Sequence, residues 1–285
     1  MVRVTNEQLI YKQNLQATKN APRQLGTRGG LWVLYDWGLV IGFGLSLPLG
    51  VPWRNPSIMS LLPHLHRLPS RVILASASPR RRELLSSLLS PLPALVKGIN
   101  LEIIPSTFAE NLSKDGKTAA AYARLTASAK GKEVFDRCCG EKDKAVLVIS
   151  ADTVVESPAG DVLEKPSNKQ HATSMMQQLS GEWHAVHTGV CLMLQSSSGN
   201  MIETTFSTTT KVRFAQLSPE VIDAYTDTVE PYDKAGGYGI QTAGLGGSLV
   251  EEISGCYFNV VGFPIRSFVQ ALIELLDKVK DKDDS

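Results

Sequence analysis

From Arg71 onward, hydrophobic and polar positions alternate with strand-like and helix-like periods. Mostly apolar runs at Val72–Ala75, Leu101–Pro105 and Ala145–Ile149 predict strands, and the third is apolar throughout, as in a strand covered on both faces. Two β-branched runs, Val186–Leu194 and Met201–Phe214, flank a short Ser/Gly/Asn segment and predict a hairpin.

Helical patterns separate these strands. Ser78 is placed as the N-cap of a first helix, and Thr118–Arg137 is an Ala-rich second one. Ser167 and Gln170 form a capping box at the start of a third helix. Residues 265–276 carry an apolar stripe at helical spacing. Strands that alternate with helices in this way predict an α/β fold.

Residues 1–70 have a different character. The stretch Leu31–Val51 is nearly free of charge, but Asp36, four glycines and a proline weaken its prediction as a membrane span. An organelle-targeting leader, a membrane anchor and a mis-assigned start ahead of Met59 are all open interpretations. We expect a disordered N-terminal extension over residues 1–70 and one catalytic domain over residues 71–282.

Composition narrows the class of protein. Of 285 residues, 43% are hydrophobic and 20% are charged, which excludes a wholly disordered chain and a polytopic membrane protein. A net charge of +1 argues against a protein that coats nucleic-acid polymers. The four cysteines include no CxxC pair, so we expect neither a disulfide framework nor a structural zinc site, and a cytoplasmic location fits best.

Three consecutive arginines open the first of these helices. Arg80, Arg81 and Arg82 lie in the first helical turn, where like charge opposes the helix dipole by about 0.3–1 kcal/mol per exposed residue. A bound oligophosphate would resolve the conflict, and small residues such as Ser76 would let it approach the backbone. The alternative is a solvated surface on which the arginines pair with nearby acids.

Several charged residues elsewhere are suited to phosphate chemistry. Asp152 follows the buried run that ends at Ile149, where α/β sheets open their ligand crevices. It can hold Mg²⁺, activate a water molecule or both, although an aspartate that caps the next turn is the simpler interpretation. Glu110 is a second candidate carboxylate, and Lys130 and Lys165 are candidate phosphate ligands.

The segment from Glu230 to Gly247 is dense in glycine, which predicts tight turns or a close approach of the backbone to a ligand. Within it, Gln241 offers a donor and an acceptor, as recognition of a nucleobase edge requires. The sequence has no GxxxxGK[ST] motif and no GxGxxG between a strand and a helix, so P-loop and dinucleotide-binding folds are not supported.

Taken in order, eight segments resemble the Maf (septum-formation) family of nucleoside triphosphate pyrophosphatases. They are LASASPRRRELL, IPSTFAENL, ISADTVV, LEKP, HTGV, TTTKVRF, EPYDKAGGYGIQ and NVVGFP. The resemblance implies a two-lobed, ITPase-like α/β fold around a long twisted mixed sheet, assembled as a homodimer. It also implies hydrolysis between the α- and β-phosphates, with a divalent cation, Mg²⁺ or Mn²⁺, as cofactor.

The resemblance also implies roles for individual positions. Asp152 matches the proton acceptor, and Glu110 matches a position of the polar cleft lining. That Asp152 and Glu110 hold the metal is our own hypothesis of the mechanism. Arg80, Thr153 and Gln241 match positions tied to substrate choice. The other positions of the polar cleft lining are Ser76, Arg81, Lys130 and Lys165. One departure is a longer glycine turn after Gln241.

The form EPYDKAGGYGIQ resembles the branch of the family that acts on dTTP and UTP, so we expect these to be the substrates, with the cleansing of modified pyrimidine nucleotides as a purpose. One alternative is a pyrophosphatase for another modified nucleotide such as 7-methyl-GTP. Another is a non-enzymatic nucleotide sensor that regulates division. The carboxylates Asp152 and Glu110 favour the enzyme, because a sensor has no need to activate water.

Overall fold

The computed structural model describes residues 61–89, 99–139, 145–196 and 199–283. They belong to one of two units in the chain, Pro56–Ser285, and the other unit, Met1–Asn55, lies outside the described residues together with the segment Leu31–Val51. Among the helices that are described, none is long and apolar enough to cross a bilayer.

The described part of the chain is an α/β structure around a seven-stranded mixed sheet, as predicted. Its strands are β1 (Arg71–Leu74), β2 (Asn100–Ile103), β3 (Val146–Glu156), β4 (Val162–Leu163), β5 (Trp183–Gln195), β6 (Met201–Phe214) and β7 (Val250–Ser254). Its α-helices are α1 (Pro79–Leu89), α2 (Ala119–Cys138), α3 (Lys169–Leu179), α4 (Pro219–Thr226), α5 (Tyr257–Val261) and α6 (Ile265–Asp283). Short 3₁₀ helices occur at Leu62–Arg67, Glu230–Asp233, Ala235–Gly237 and Gly246–Leu249.

The sheet has the order β2-β1-β3-β5-β6-β7, with β4 paired to the far end of β3. β1 runs parallel to β2 and β3, whereas β3, β5, β6 and β7 pair in antiparallel fashion. The predicted hairpin is β5 and β6, which pair from Trp183 opposite Arg213 to Gln195 opposite Met201. The long central strands therefore extend well beyond the short parallel pair.

The strand predicted over Ala145–Ile149 is longer than its apolar run. β3 continues to Glu156 because β5 pairs with it along its whole length. Asp152 was expected beyond the end of this strand, and that prediction was wrong: it lies within β3, opposite Gly189. The parallel neighbour β1 ends at Leu74, which pairs with Ile149, so Asp152 lies beyond the end of β1 and beside an open edge of β3.

The core is divided between the two halves of the long strands. One cluster packs α6 against β1, the first half of β3 and the second half of β5, and it includes Leu74, Ile149, Leu192, Phe268 and Leu272. A second cluster surrounds the other half, and it includes Val155, Met176, Val186, Phe214 and Tyr238. Two further clusters pack α2 against the sheet, so the described core consists of four clusters.

Two predicted helix starts have different outcomes. α1 begins at Pro79 as expected, and the Ser78 hydroxyl accepts a hydrogen bond from the Arg81 amide at 3.4 Å. The predicted capping box of Ser167 and Gln170 was wrong by one residue. Asn168 caps α3 by accepting from the His171 amide at 2.9 Å, while the Ser167 hydroxyl lies 3.3 Å from the His171 ring.

Candidate active site

A cleft of about 520 Å³ opens beside the unpaired edge of β3, within the size range of small-molecule sites. All nine residues singled out in the sequence line it: Ser76, Arg80, Arg81, Glu110, Lys130, Asp152, Thr153, Lys165 and Gln241. They come from the β1–α1 connection, α1, α2, β3 and three loops that are distant from one another in sequence. The sheet topology is therefore what brings them together.

The cleft reaches both faces of β3, because no described strand pairs with its edge between Ile149 and Val155. Alternate residues of a strand point to opposite faces. Asp152 accordingly faces α2 and contacts Lys130, whereas Thr153 faces α1 and contacts Arg81. Two adjacent residues thus serve opposite walls of one site.

Arg81 is half-buried and held by neutral oxygens. Its Nε donates to the Gly262 carbonyl at 2.9 Å, and its Nη1 and Nη2 donate to the hydroxyls of Ser76 at 3.3 Å and Thr153 at 2.9 Å. Burial lowers the pKa of Arg81, an effect that the Asp152 carboxylate opposes, and a guanidinium stays charged in any case. Within the described residues no carboxylate forms an ion pair with it, so its charge is available to an anion.

Arg80 has a different partner in this structure. Its Nη1 donates to Asp233 Oδ2 at 2.9 Å, and its Nη2 donates to the Asp233 carbonyl at 3.3 Å. Arg82 is exposed and does not line the cleft. Two of the three arginines therefore reach the site, and one of these is paired with an acid, as the surface-pairing alternative predicted.

The opposite wall is a cluster of three charged groups. Lys130 Nζ donates to Asp152 Oδ1 at 2.7 Å and lies 2.8 Å from Glu110 Oε1. Asp152 is only 6% exposed, and this burial raises its pKa above the ordinary value although Lys130 and Arg81 oppose the shift. A buried carboxylate with a raised pKa is a stronger proton acceptor than one in water.

The same cluster suits a divalent cation. Asp152 and Glu110 each place a carboxylate oxygen beside Lys130 Nζ, at 2.7 and 2.8 Å, and Mg²⁺ typically binds through one or two carboxylates together with substrate phosphates. In the described structure, this cleft included, no three or more His, Cys, Asp or Glu residues are grouped so that they could hold a metal, and the site offers two carboxylates. A cation here would therefore take its remaining ligands from the substrate and from water.

Two predicted residues line the cleft without a protein partner in the described residues. Lys165 and Gln241 both have exposed side chains, and neither forms a hydrogen bond or an ion pair with a described residue. Each can therefore bind a ligand without first breaking an internal contact.

Three further charged residues of the lining did not emerge from the sequence. Glu164 accepts hydrogen bonds from the Tyr122 hydroxyl at 2.9 Å and from Lys114 Nζ at 2.7 Å. Asp233 and Lys234 lie in the glycine-rich segment, and Lys234 is only 9% exposed. All three lie in segments that the sequence analysis had already marked, because Glu164 precedes Lys165 and the other two lie inside EPYDKAGGYGIQ. Sequence spacing alone does not reveal which charged side chains in such a segment face a cleft.

Comparisons with known proteins agree with this picture. A dTTP/UTP pyrophosphatase of Clostridium perfringens (strain 13 / Type A) is 41% identical over 205 residues, covering 71% of this chain and 95% of that protein. One of Caldicellulosiruptor bescii is 42% identical over 195 residues, covering 68% of this chain and 89% of that protein.

A human relative is much longer than the matched region. The probable bifunctional dTTP/UTP pyrophosphatase/methyltransferase protein of Homo sapiens is 43% identical over 221 residues, which span 76% of this chain but only 34% of that protein. Among solved structures, a HAM1 protein from Coxiella burnetii aligns with a TM-score of 0.34 and 12% identity over 74% of this chain and 98% of that chain, a likeness too weak to support a conclusion.

The match at family level covers nearly the whole of the described structure. The family model of Maf-like protein matches residues 71–275, from the first strand of the sheet into its last helix. The cleft and all nine of its predicted residues lie inside this range. The chain belongs to the Maf-like protein family.

Proposed function

We propose that this protein is a nucleoside triphosphate pyrophosphatase that converts dTTP and UTP to the monophosphate and pyrophosphate. The observation that carries the proposal is one cleft with a cationic wall at the α1 N-terminus and a buried acid, Asp152, on the other wall. Relatives about 40% identical over most of their own length are named dTTP/UTP pyrophosphatases, which supports the same choice of substrate.

The cationic wall binds the triphosphate. The guanidinium groups of Arg80 and Arg81 offer donors to phosphate oxygens, and Lys165 adds a charge with no described partner. Hydrogen bonds hold Arg80 and Arg81 in place before the substrate arrives, so they stabilise charge that develops on the departing pyrophosphate.

The acidic wall activates water. Asp152 accepts a proton from a water molecule as the water oxygen attacks the α-phosphorus, and the bond from that phosphorus to the bridging oxygen breaks to release pyrophosphate. Lys130 orients Asp152 through its 2.7 Å hydrogen bond. Asp152 and Glu110 would hold a divalent cation, Mg²⁺ or Mn²⁺, which when bound neutralises charge on the triphosphate.

The base is recognised at the end of the cleft formed by Tyr238, Gly239 and Gln241. Uracil and thymine present an N3–H donor beside a carbonyl acceptor, and the Gln241 amide carries the complementary acceptor and donor.

The proposal is tested by measuring pyrophosphate release from dTTP, UTP, dCTP, dATP and 7-methyl-GTP. We expect kcat/KM to be highest for dTTP and UTP. Asp152→Asn should lower kcat by about 10²–10⁴ while a dTTP analogue with a non-hydrolysable α,β bridge still binds. Asp161→Asn, the same change at an exposed residue outside the cleft, serves as the control.

Two outcomes would refute this proposal in different ways. Preference for 7-methyl-GTP would overturn the substrate, and tight binding of triphosphates without pyrophosphate release would indicate the sensor. The homodimer and the role in cleansing nucleotide pools stay predictions that rest on the resemblance, and the cytoplasmic location stays a prediction that rests on the cysteine content.

A further inference from the structure

We propose that Asp233 is a positioning residue that couples recognition of the base to the placement of Arg80 on the phosphates. The inference rests on the proposed function, because it takes the ligand to be a nucleoside triphosphate. It concerns the segment Lys234–Gln241, which we call the base loop and which ends at the residue proposed to read the base.

The first link is the contact between Asp233 and Arg80. The carboxylate and the carbonyl of Asp233 each accept one hydrogen bond, from Nη1 at 2.9 Å and from Nη2 at 3.3 Å. A guanidinium has five N–H donors, so three stay available for phosphate oxygens. Asp233 can therefore fix the orientation of Arg80 while Arg80 binds the substrate.

The second link joins Asp233 to the base loop. Lys234 Nζ donates to Asp233 Oδ1 at 2.5 Å and to the Glu230 carbonyl at 2.8 Å. Burial raises the pKa of Asp233, but the hydrogen bonds from Lys234 and Arg80 outweigh it and leave the pKa below its ordinary value. The carboxylate is thus ionised at neutral pH and shared between two cations.

The third link is packing inside the base loop. A Cβ at Gly239 would lie 2.5 Å from Lys234 Cε and 2.8 Å from Lys234 Cδ, so the Gly239 backbone rests directly on the buried lysine stem. Gly239 lies in the cleft lining two residues before Gln241. A shift of the lysine stem is therefore transmitted to the backbone that carries Gln241.

Together the contacts form a continuous path from the phosphate side of the cleft to its base side: Arg80, Asp233, Lys234, Gly239 and Gln241. A base that fits Gln241 steadies the base loop, and through Asp233 it steadies the guanidinium of Arg80. This path explains how an arginine that faces phosphates contributes to the choice of base. Such coupling has to be measured by a double-mutant cycle, since proximity alone does not establish it.

The test compares two probes by calorimetry. One is inorganic tripolyphosphate, which has no base, and the other is dTTP with an imido group between the α- and β-phosphates. We expect Asp233→Asn to lower the affinity for the nucleotide analogue about tenfold more than the affinity for tripolyphosphate. A loss of this size corresponds to one charge-assisted hydrogen bond at a partly exposed site. Gln241→Ala should do the same, and the double variant should lose no more than either single one.

The control is Glu252→Gln. It removes an exposed ion pair of similar geometry, 3.1 Å from Arg213 Nη2, on strands away from the cleft, and it should leave both affinities unchanged. Thermal midpoints of all variants show whether each is folded.

The coupling would be overturned if the double variant lost affinity by the product of the two single losses, as independent sites would. It would also be overturned if Asp233→Asn lowered the affinity for both probes equally. These readouts use binding alone, so they stand apart from the proposed activity. A protein that binds the analogue and releases no pyrophosphate from dTTP would refute the proposed function while the cycle still decides the role of Asp233.

Discussion

At the scale of single residues, the hydrogen bonds of Thr153 determine what its side chain can do. The Thr188 hydroxyl donates its one proton to the Asn259 carbonyl at 3.0 Å, so the Thr153 hydroxyl, 2.9 Å away, must donate to Thr188. Thr153 then accepts from Arg81 Nη2 at 2.9 Å. The Thr153 hydroxyl therefore has no proton left to donate to a substrate. Thr153 influences a bound substrate by holding Arg81 in position.

We therefore expect Thr153→Val, which keeps the shape and removes the hydroxyl, to misplace Arg81. One guanidinium donor loses its acceptor, which should lower the free energy of unfolding by about 1–3 kcal/mol and kcat/KM by about tenfold. Urea denaturation and pyrophosphate release measure the two effects.

Thr204→Val is the matched control for that change. Its hydroxyl is buried with no partner among the described residues, so the variant should be as stable as the natural protein or more so. Equal behaviour of Thr153→Val and Thr204→Val would show that the Thr153 hydroxyl has no role in holding Arg81.

How far the sequence predicts the site is also decided at this scale. Local patterns identified Arg80, Arg81 and Asp152 because a charge conflict or a buried acid is visible within a few neighbours. The pairing of Arg80 with Asp233 joins residues 153 positions apart, and no local pattern encodes such a contact. The sequence therefore predicted which side chains line the cleft better than it predicted their partners.

At the scale of elements, small residues set how closely α2 lies on the sheet. A Cβ at Gly131 would lie 2.6 Å from Ser150 Oγ, and one at Gly189 would overlap the Ala123 backbone. Ser150 Oγ also donates to the Ala127 carbonyl at 2.6 Å. This close contact brings Lys130, the residue before Gly131, within hydrogen-bond distance of Asp152 on β3.

Gly189→Ala should consequently force α2 away from β5. We expect a loss of about 3 kcal/mol in the free energy of unfolding, at the upper end for an overpacked core, together with lower kcat as Lys130 moves from Asp152. Chemical denaturation and steady-state kinetics provide the measurements.

Gly244→Ala is the control for Gly189→Ala, because a Cβ at Gly244 meets no atom within 4 Å. If Gly244→Ala lost as much stability as Gly189→Ala, the packing argument would be contradicted.

The limits of β3 show why element boundaries were harder to predict than element types. The polar residues Ser150, Asp152 and Thr153 interrupt the apolar run, so the pattern alone ends the strand at Ile149. Pairing with β5 carries it on to Glu156. Tertiary pairing outweighs local pattern in such a case, and it does so in the part of β3 that carries Asp152, the proposed proton acceptor.

At the scale of the whole molecule, the packed core includes residues ahead of the first strand. Leu61, Leu65 and Leu68 are each less than 9% exposed and pack in the cluster that contains Phe268 and Leu272 of α6. The boundary predicted at residue 71 stays a prediction, and this packing favours an earlier one. We propose that the folded domain includes Leu61, Leu65 and Leu68.

This proposal predicts different stabilities for two truncated chains. A chain that starts at Met59 should unfold at the same urea concentration as the full chain and keep its activity, whereas one that starts at Ser70 should lose about 4 kcal/mol or more, because three buried leucines are removed. In the full chain, Leu65→Ala should cost about 3 kcal/mol and Leu125→Ala, at a 42% exposed position, much less. Equal stability of the two truncated chains would place the start of the domain after these leucines. Their removal would then leave the free energy of unfolding unchanged, so their burial would not stabilise the fold.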